Sequence, residues 1–209
     1  MPTSESLNRK NIHENFYQES IERYSPFDVR SMKWNSITSQ ESRFQSLIRI
    51  GDLNQKSVLD IGCGTGDFVN FFFRKKIQLS DYLGIEIIED FYKVAKERYS
   101  NYSFLLTDYF SFRFSKKFDF AFCNGALNVR EKDNMKLLEK FIHKTLNNVN
   151  QGIGITLLKY APGYFKESRL YHYRPGKVKL LLKRLNLSHE IISDYADNDF
   201  TVFIRKDNK

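Results

Sequence analysis

The sequence predicts an α/β protein, a three-layer α-β-α sandwich with a mostly parallel seven-stranded sheet and a C-terminal antiparallel hairpin. Three observations carry this prediction. Short apolar runs alternate with helix-like segments between residues 57 and 159, as parallel sheets require. The first run, 58–61, enters a turn with glycine at 62, 64 and 66, and a helical stretch follows. The last two runs are separated by Ala196-Asp197-Asn198-Asp199, whose side chains favour a turn.

The elements follow in order along the chain. Residues 1 to 30 are polar and interrupted by Pro26, which suits a mobile or capping N-terminal segment. Over 36–50, Ile37, Phe44, Leu47 and Ile48 recur at helical intervals before Gly51. The expected organisation is thus a helical cap or lid over 1–50 and one main domain over 51–209. Strands are predicted at 57–61, 81–86, 102–107, 117–123 and 153–159, with helices at 66–75, 89–99 and 131–147. Ala161-Pro162-Gly163 then breaks the pattern, and an aromatic, basic loop runs to Tyr173. Pro175 can open a helix because its missing N–H is not needed in a first turn, and that helix reaches residue 185. Strands at 190–195 and 200–205 finish the fold.

Composition excludes several classes. Hydrophobic residues make up 41% and aromatics 15%, enough for a packed core rather than a disordered chain. No apolar run approaches the roughly 20 residues that span a bilayer. The opening Met1-Pro2-Thr3-Ser4-Glu5-Ser6 lacks the charged-then-apolar pattern of a secretory signal, so cytoplasmic residence is expected. Cys63 and Cys123 agree with a reducing compartment, and their spacing predicts no metal site.

The glycine turn is the most informative segment. Without Cβ atoms, glycines let another molecule lie against the backbone, and a strand, turn and helix N-terminus together form an edge for a nucleotide-like cofactor. Asp60 stands just before the turn, which favours an aminoacyl-nucleoside over a dinucleotide. The spacing Gly-x-Gly-x-Gly also departs from the dinucleotide fingerprint Gly-x-Gly-x-x-Gly. Two further predicted strands end in acids: Glu86, 20 residues after Gly66, and Asp108.

With these residues in register, Leu59-Asp60-Ile61-Gly62-Cys63-Gly64-Thr65-Gly66 resembles the first motif of the class I S-adenosylmethionine-dependent methyltransferases. The likeness extends more loosely from Val58 to the C-terminus, where a terminal antiparallel hairpin is typical of that family. Trp34 with Ser39-Gln40-Glu41-Ser42-Arg43-Phe44 looks like a group of small bacterial members. The resemblance implies S-adenosyl-L-methionine as cofactor. Gly62, Gly64 and Gly66 would receive its methionine portion through backbone groups, and Asp60 would orient the ammonium. Glu86 would accept from the ribose hydroxyls, Ile87 would pack on the adenine, and Asp108 would accept from its amino group. Cys63, Tyr109 and Asn124 complete the expected cofactor set, with Asn124 at the strand end that faces the methyl group. Arg43 is expected to pair with the methionine carboxylate, beneath Trp34 as a lid.

On the acceptor side, His172 within Tyr171-His172-Tyr173 is the expected general base, since its ordinary pKa suits proton removal near neutrality. Both cysteines are also readable as small residues filling tight space. Nucleic-acid amine methyltransferases often carry Asn/Asp-Pro-Pro-Tyr after strand four, whereas this chain has Cys123-Asn124-Gly125-Ala126. A small-molecule acceptor, methylated on oxygen or nitrogen and anionic or aromatic, is therefore favoured. Net charge is +8, and Lys166, Arg169, Arg174, Lys177, Lys179, Lys183 and Arg184 cluster against the single acid Glu167. That cluster suits an anionic substrate, a solvated helix face, or an RNA backbone, so RNA methylation is the second expectation. A cofactor-binding partner protein without catalysis is the third.

Overall fold

The structure is a computed structural model that describes residues 3–162 and 168–206. Its sheet has seven strands in the order β3-β2-β1-β4-β5-β7-β6. These are β1 (Ser57–Ile61), β2 (Asp81–Glu86), β3 (Ser103–Leu106), β4 (Phe118–Asn124), β5 (Val149–Leu158), β6 (His189–Ile192) and β7 (Asp199–Arg205). The first five are parallel, and β7 runs antiparallel between β5 and β6. The order reverses beside β1, so a crevice opens at the C-terminal ends of β1 and β4, where ligands bind in open α/β sheets.

Helices α1 (Ser4–Tyr24) and α2 (Ile37–Leu47) precede the sheet. Helices α3 (Asp67–Arg74), α4 (Glu89–Arg98), α5 (Asn134–Asn147) and α6 (Pro175–Arg184) follow. Both N-terminal helices begin on side-chain caps: Thr3 accepts from the Ser6 N–H, and Ser36 from the Ser39 N–H. One face of the sheet packs on α5 and α6 through Leu138, Phe141, Ile142, Val178 and Leu182. The other carries an aromatic layer in which Phe68 of α3 stacks on Phe44 of α2 and on Phe72. Each of these rings contributes roughly 1.5–3 kcal/mol by burial. Because Phe44 and Leu47 share that layer, α2 is anchored in the core of the main domain.

Strand boundaries differ from expectation in places with a local cause. β5 starts at Val149, ahead of Gly152, because it continues past an irregularity in its pairing with β4 near Phe118 and Phe120. β6 stops at Ile192 rather than at 195. The polar N-terminal stretch is a helix of 21 residues, with Ser6, Arg9, His13, Phe16 and Ser20 buried at intervals of three and four. Its inner face is largely polar, so apolar periodicity gave no sign of it.

Candidate active site

The C-terminal ends of β1 to β4 open into a cavity of ≈ 300 Å³, covered by α1, α2 and the turn between them. It brings together Trp34, Arg43, Asp60, Gly62, Cys63, Gly64, Glu86, Ile87, Asp108, Tyr109, Asn124 and His172. Gly66 lies outside the lining. It is left-handed (φ +77°) at the start of α3, and a Cβ there would stand 2.8 Å from the Tyr99 ring. Gly64, also left-handed at φ +56°, does line the cavity, and a Cβ on it would meet Met32 Sδ at 2.6 Å.

Glu86 ties the second strand to the glycine turn. One carboxylate oxygen accepts from the Gly64 N–H at 2.8 Å; the other accepts from the Ile87 and Ile88 N–H groups at 2.7 and 2.8 Å. Burial raises its pKa, while the three N–H groups and His13 act in the opposite direction. Asp60 is almost fully buried and accepts one hydrogen bond, from the Tyr82 hydroxyl at 2.8 Å. Burial pushes its pKa up to about 7, against the Tyr82 hydrogen bond and with help from the Glu86 charge.

Sequence reasoning missed the contribution of α1. Arg9 NH1 donates to both Asp108 oxygens at 3.1 and 3.3 Å, and Arg9 Nε donates to Glu131 at 3.2 Å. Its guanidinium also lies 4.3 Å from the Phe110 ring centroid, a cation–π distance. His13 Nε2 stands 3.7 Å from the same Glu131 carboxylate, and Tyr17 lines the cavity one turn further along. The only available signal was three- and four-residue spacing of polar side chains, which is weak without an apolar stripe.

The Arg43 guanidinium lies 4.6 Å from the Trp34 ring centroid. Arg43 NH1 donates to the Ser39 carbonyl and hydroxyl at 2.7 and 2.8 Å, and its NH2 forms an ion pair with buried Asp199 at the start of β7. Burial raises the Asp199 pKa, and the Arg43 guanidinium paired with it acts in the opposite direction.

On the acceptor side, His172 lies beside β5, where burial and the Arg130 charge lower its pKa and make it a weaker base. The Cys123 thiol is pushed up to about 12, chiefly by burial, and Cys63 is raised as well. Cys63 Sγ fills the space where a Cβ on Gly84 would stand, 2.8 Å away. The basic cluster is dispersed. Lys166 and Glu167, with Tyr164 of the same loop, lie outside the described residues. Arg169 donates to the Asn15 carbonyl of α1, Arg184 pairs with Glu139, and Lys177, Lys179 and Lys183 sit on the outer face of α6. Among the described residues no group of acids, histidines and cysteines is placed to hold a metal. No helix there is long and apolar enough to cross a membrane.

Three acids at successive parallel strand ends, around a glycine turn and beside an apolar wall, define a class I S-adenosylmethionine-dependent methyltransferase site. The buried Asp60 carboxylate has no cationic side chain within ion-pair distance among the described residues, and an amino-acid ammonium suits that position. The chain belongs to the methyltransferase domain family, whose sequence profile matches residues 52–180. The cofactor of the family is S-adenosyl-L-methionine.

Over 163 residues the chain is 28% identical to malonyl-[acyl-carrier protein] O-methyltransferase of Hamiltonella defensa subsp. Acyrthosiphon pisum (strain 5AT). The match covers 75% of this chain and spans 60% of that protein's length. Among solved structures, the DhpI-SAH complex has a TM-score of 0.70 at 15% identity, covering 99% of this chain and 100% of that one. An S-adenosylmethionine-dependent methyltransferase from Clostridium acetobutylicum ATCC 824 has a TM-score of 0.61 at 12% identity, covering 84% and 94%. At these identities the structural likeness shows the fold.

Proposed function

We propose that the protein transfers a methyl group from S-adenosyl-L-methionine to an oxygen or nitrogen atom of a small, anionic acceptor. The observation that carries this reading is the convergence of Asp60, Glu86 and Asp108 with Gly62 and Gly64 on one covered cavity. Asp60 is assigned the cofactor's ammonium, Glu86 its ribose, and Ile87, Asp108 and Tyr109 the adenine end. Arg43, set under Trp34, is assigned the carboxylate. When bound, the cofactor supplies an already activated methyl group. The protein's own work is then to align the acceptor and exclude water.

The covering helices serve that exclusion. Trp34, Tyr17 and Phe16 place apolar surface over the cavity, and Arg9 ties α1 down at its far end. A small acceptor is supported by this enclosure and by the basic residues, since Arg174, Lys177, Lys179, Lys183 and Arg184 do not line the cavity. The curated relative is named as a malonyl-[acyl-carrier protein] O-methyltransferase, which supports an oxygen acceptor. The test is incubation with methyl-labelled cofactor and, separately, a bacterial small-molecule extract and total RNA. Label in the small-molecule fraction is expected; label only in RNA would overturn the acceptor class.

A further inference from the structure

We infer that the acceptor is an organic acid methylated on its own oxygen anion, and that the Asn128 side-chain amide receives that acid. This inference rests on the methyl-transfer reading above and names its substrate class.

The first support is that most candidate bases around the cavity are engaged or weak. Asp60 holds the Tyr82 hydroxyl, and Glu86 holds three main-chain N–H groups. Asp108 is spanned by Arg9, and Glu131 lies against Arg9 and His13. Burial, and then the Arg130 charge, lowers the His172 pKa and weakens it as a proton acceptor. Burial raises the pKa of Tyr17, Tyr109 and Cys123, so these groups stay protonated near neutrality. An alcohol or ammonium acceptor must lose a proton on methylation. An acid that is already ionised loses none.

The second support comes from Asn124, at the end of β4, and Asn128, at the end of the short helical turn that follows it. The Asn128 carbonyl oxygen accepts from the Leu158 main-chain N–H at 3.0 Å. A main-chain N–H can only donate, so this bond settles which way the amide is turned. Asn128 is 6% exposed, lines the cavity, and its Nδ2 has no hydrogen-bond partner among the described residues. The Asn124 carbonyl oxygen accepts from the Thr156 hydroxyl at 2.6 Å. With its oxygen committed to Leu158, the Asn128 amide is left with Nδ2 as a donor for an acceptor oxygen. Lys33 also lines the cavity, with its ammonium 5.2 Å from the Phe16 ring centroid, and adds positive charge near the opening.

In the step itself, an acceptor oxygen lone pair forms the new O–CH₃ bond while the methyl–sulfur bond breaks. The electron pair of the broken bond remains on sulfur. The products are an ester and a neutral thioether, and no proton is released. Carboxylates and phosphorus acids share this chemistry.

The experiment uses the full chain, a ¹³C-methyl donor and a bacterial small-molecule extract. A labelled product that releases methanol in mild alkali marks a carboxylic ester; a methyl signal split by phosphorus marks a phosphorus-acid ester. Either supports the inference. An N-methyl or methyl-ether product overturns it and leaves the methyl-transfer reading intact. Absence of both labelled product and S-adenosylhomocysteine binding overturns the methyl-transfer reading itself. Asn128→Asp places a negative charge against the acid and is expected to lower ester formation about a hundredfold or more, because like charges in a desolvated site repel strongly. Its S-adenosylhomocysteine affinity, read by calorimetry, is expected to stay within about twofold, since Asn128 serves the acceptor rather than the cofactor. Ester formation undiminished in Asn128→Asp would remove Asn128 from this role.

Discussion

The Arg9 guanidinium spans both oxygens of Asp108, so a lid helix is pinned to the strand end assigned to the cofactor's adenine. The ion pair is buried on both sides. Under the proposed assignment of Asp108 to the adenine, cofactor entry and α1 docking are linked through one carboxylate.

Arg9→Met tests that linkage. Removing one partner of a buried pair costs about 3–5 kcal/mol when the other must stay buried. Helix α1 can avoid that cost by lifting away. The expected result is a large loss of amide hydrogen-exchange protection in α1, with β1 and β4 protected as before. Unchanged protection in α1 would mean that Arg9 does not hold the lid.

Glu86→Ala should weaken S-adenosylhomocysteine binding by a few kcal/mol, roughly a hundredfold, because it deletes charge-assisted ribose contacts. The variant also strips the Gly64, Ile87 and Ile88 N–H groups of their acceptor, so thermal stability should fall with affinity. Calorimetry and a thermal melt read the two effects separately.

The pH dependence of cofactor binding follows from Asp60. Its folded pKa is raised from 3.8 to about 7, chiefly by burial. Between those values the folded protein holds a proton that the unfolded chain has released, so Asp60 makes stability fall as pH rises through that window. Pairing with an ammonium needs the ionised carboxylate. Affinity for S-adenosylhomocysteine should therefore climb from pH 5 towards 7, with release of about one proton at the acid end. Titration at pH 6 in two buffers of different ionisation enthalpy measures that release, and Asp60→Asn should abolish it.

Gly66→Ala separates folding from binding. The left-handed backbone costs a non-glycine residue about 1–2 kcal/mol, and the Tyr99 ring must also move. The urea midpoint should fall, while affinity for S-adenosylhomocysteine stays within about threefold because Gly66 lies outside the cavity. A selective loss of affinity would place Gly66 in direct cofactor contact.

Much of this site was legible because strand-end acids and turn glycines occupy fixed places in a parallel sheet. Asp60, Glu86 and Asp108 could be read at βαβ spacing, and the cavity unites them. Arg9 and His13 were not legible: they lie on a helix whose buried face is polar, so periodicity gave no apolar stripe to follow. Asn128 was hidden differently. Its value comes from a hydrogen bond to β5, 30 residues away, which local sequence does not show. The partner of Arg43 is likewise supplied by a distant strand, through Asp199.

The most direct test of the cofactor site is calorimetric titration of the full chain with S-adenosylhomocysteine, with NAD in parallel. Saturable binding of the thioether alone, weakened in Glu86→Ala, is the expected result. Binding of NAD in its place, or thioether affinity untouched by Glu86→Ala, would contradict the assignment of this cavity.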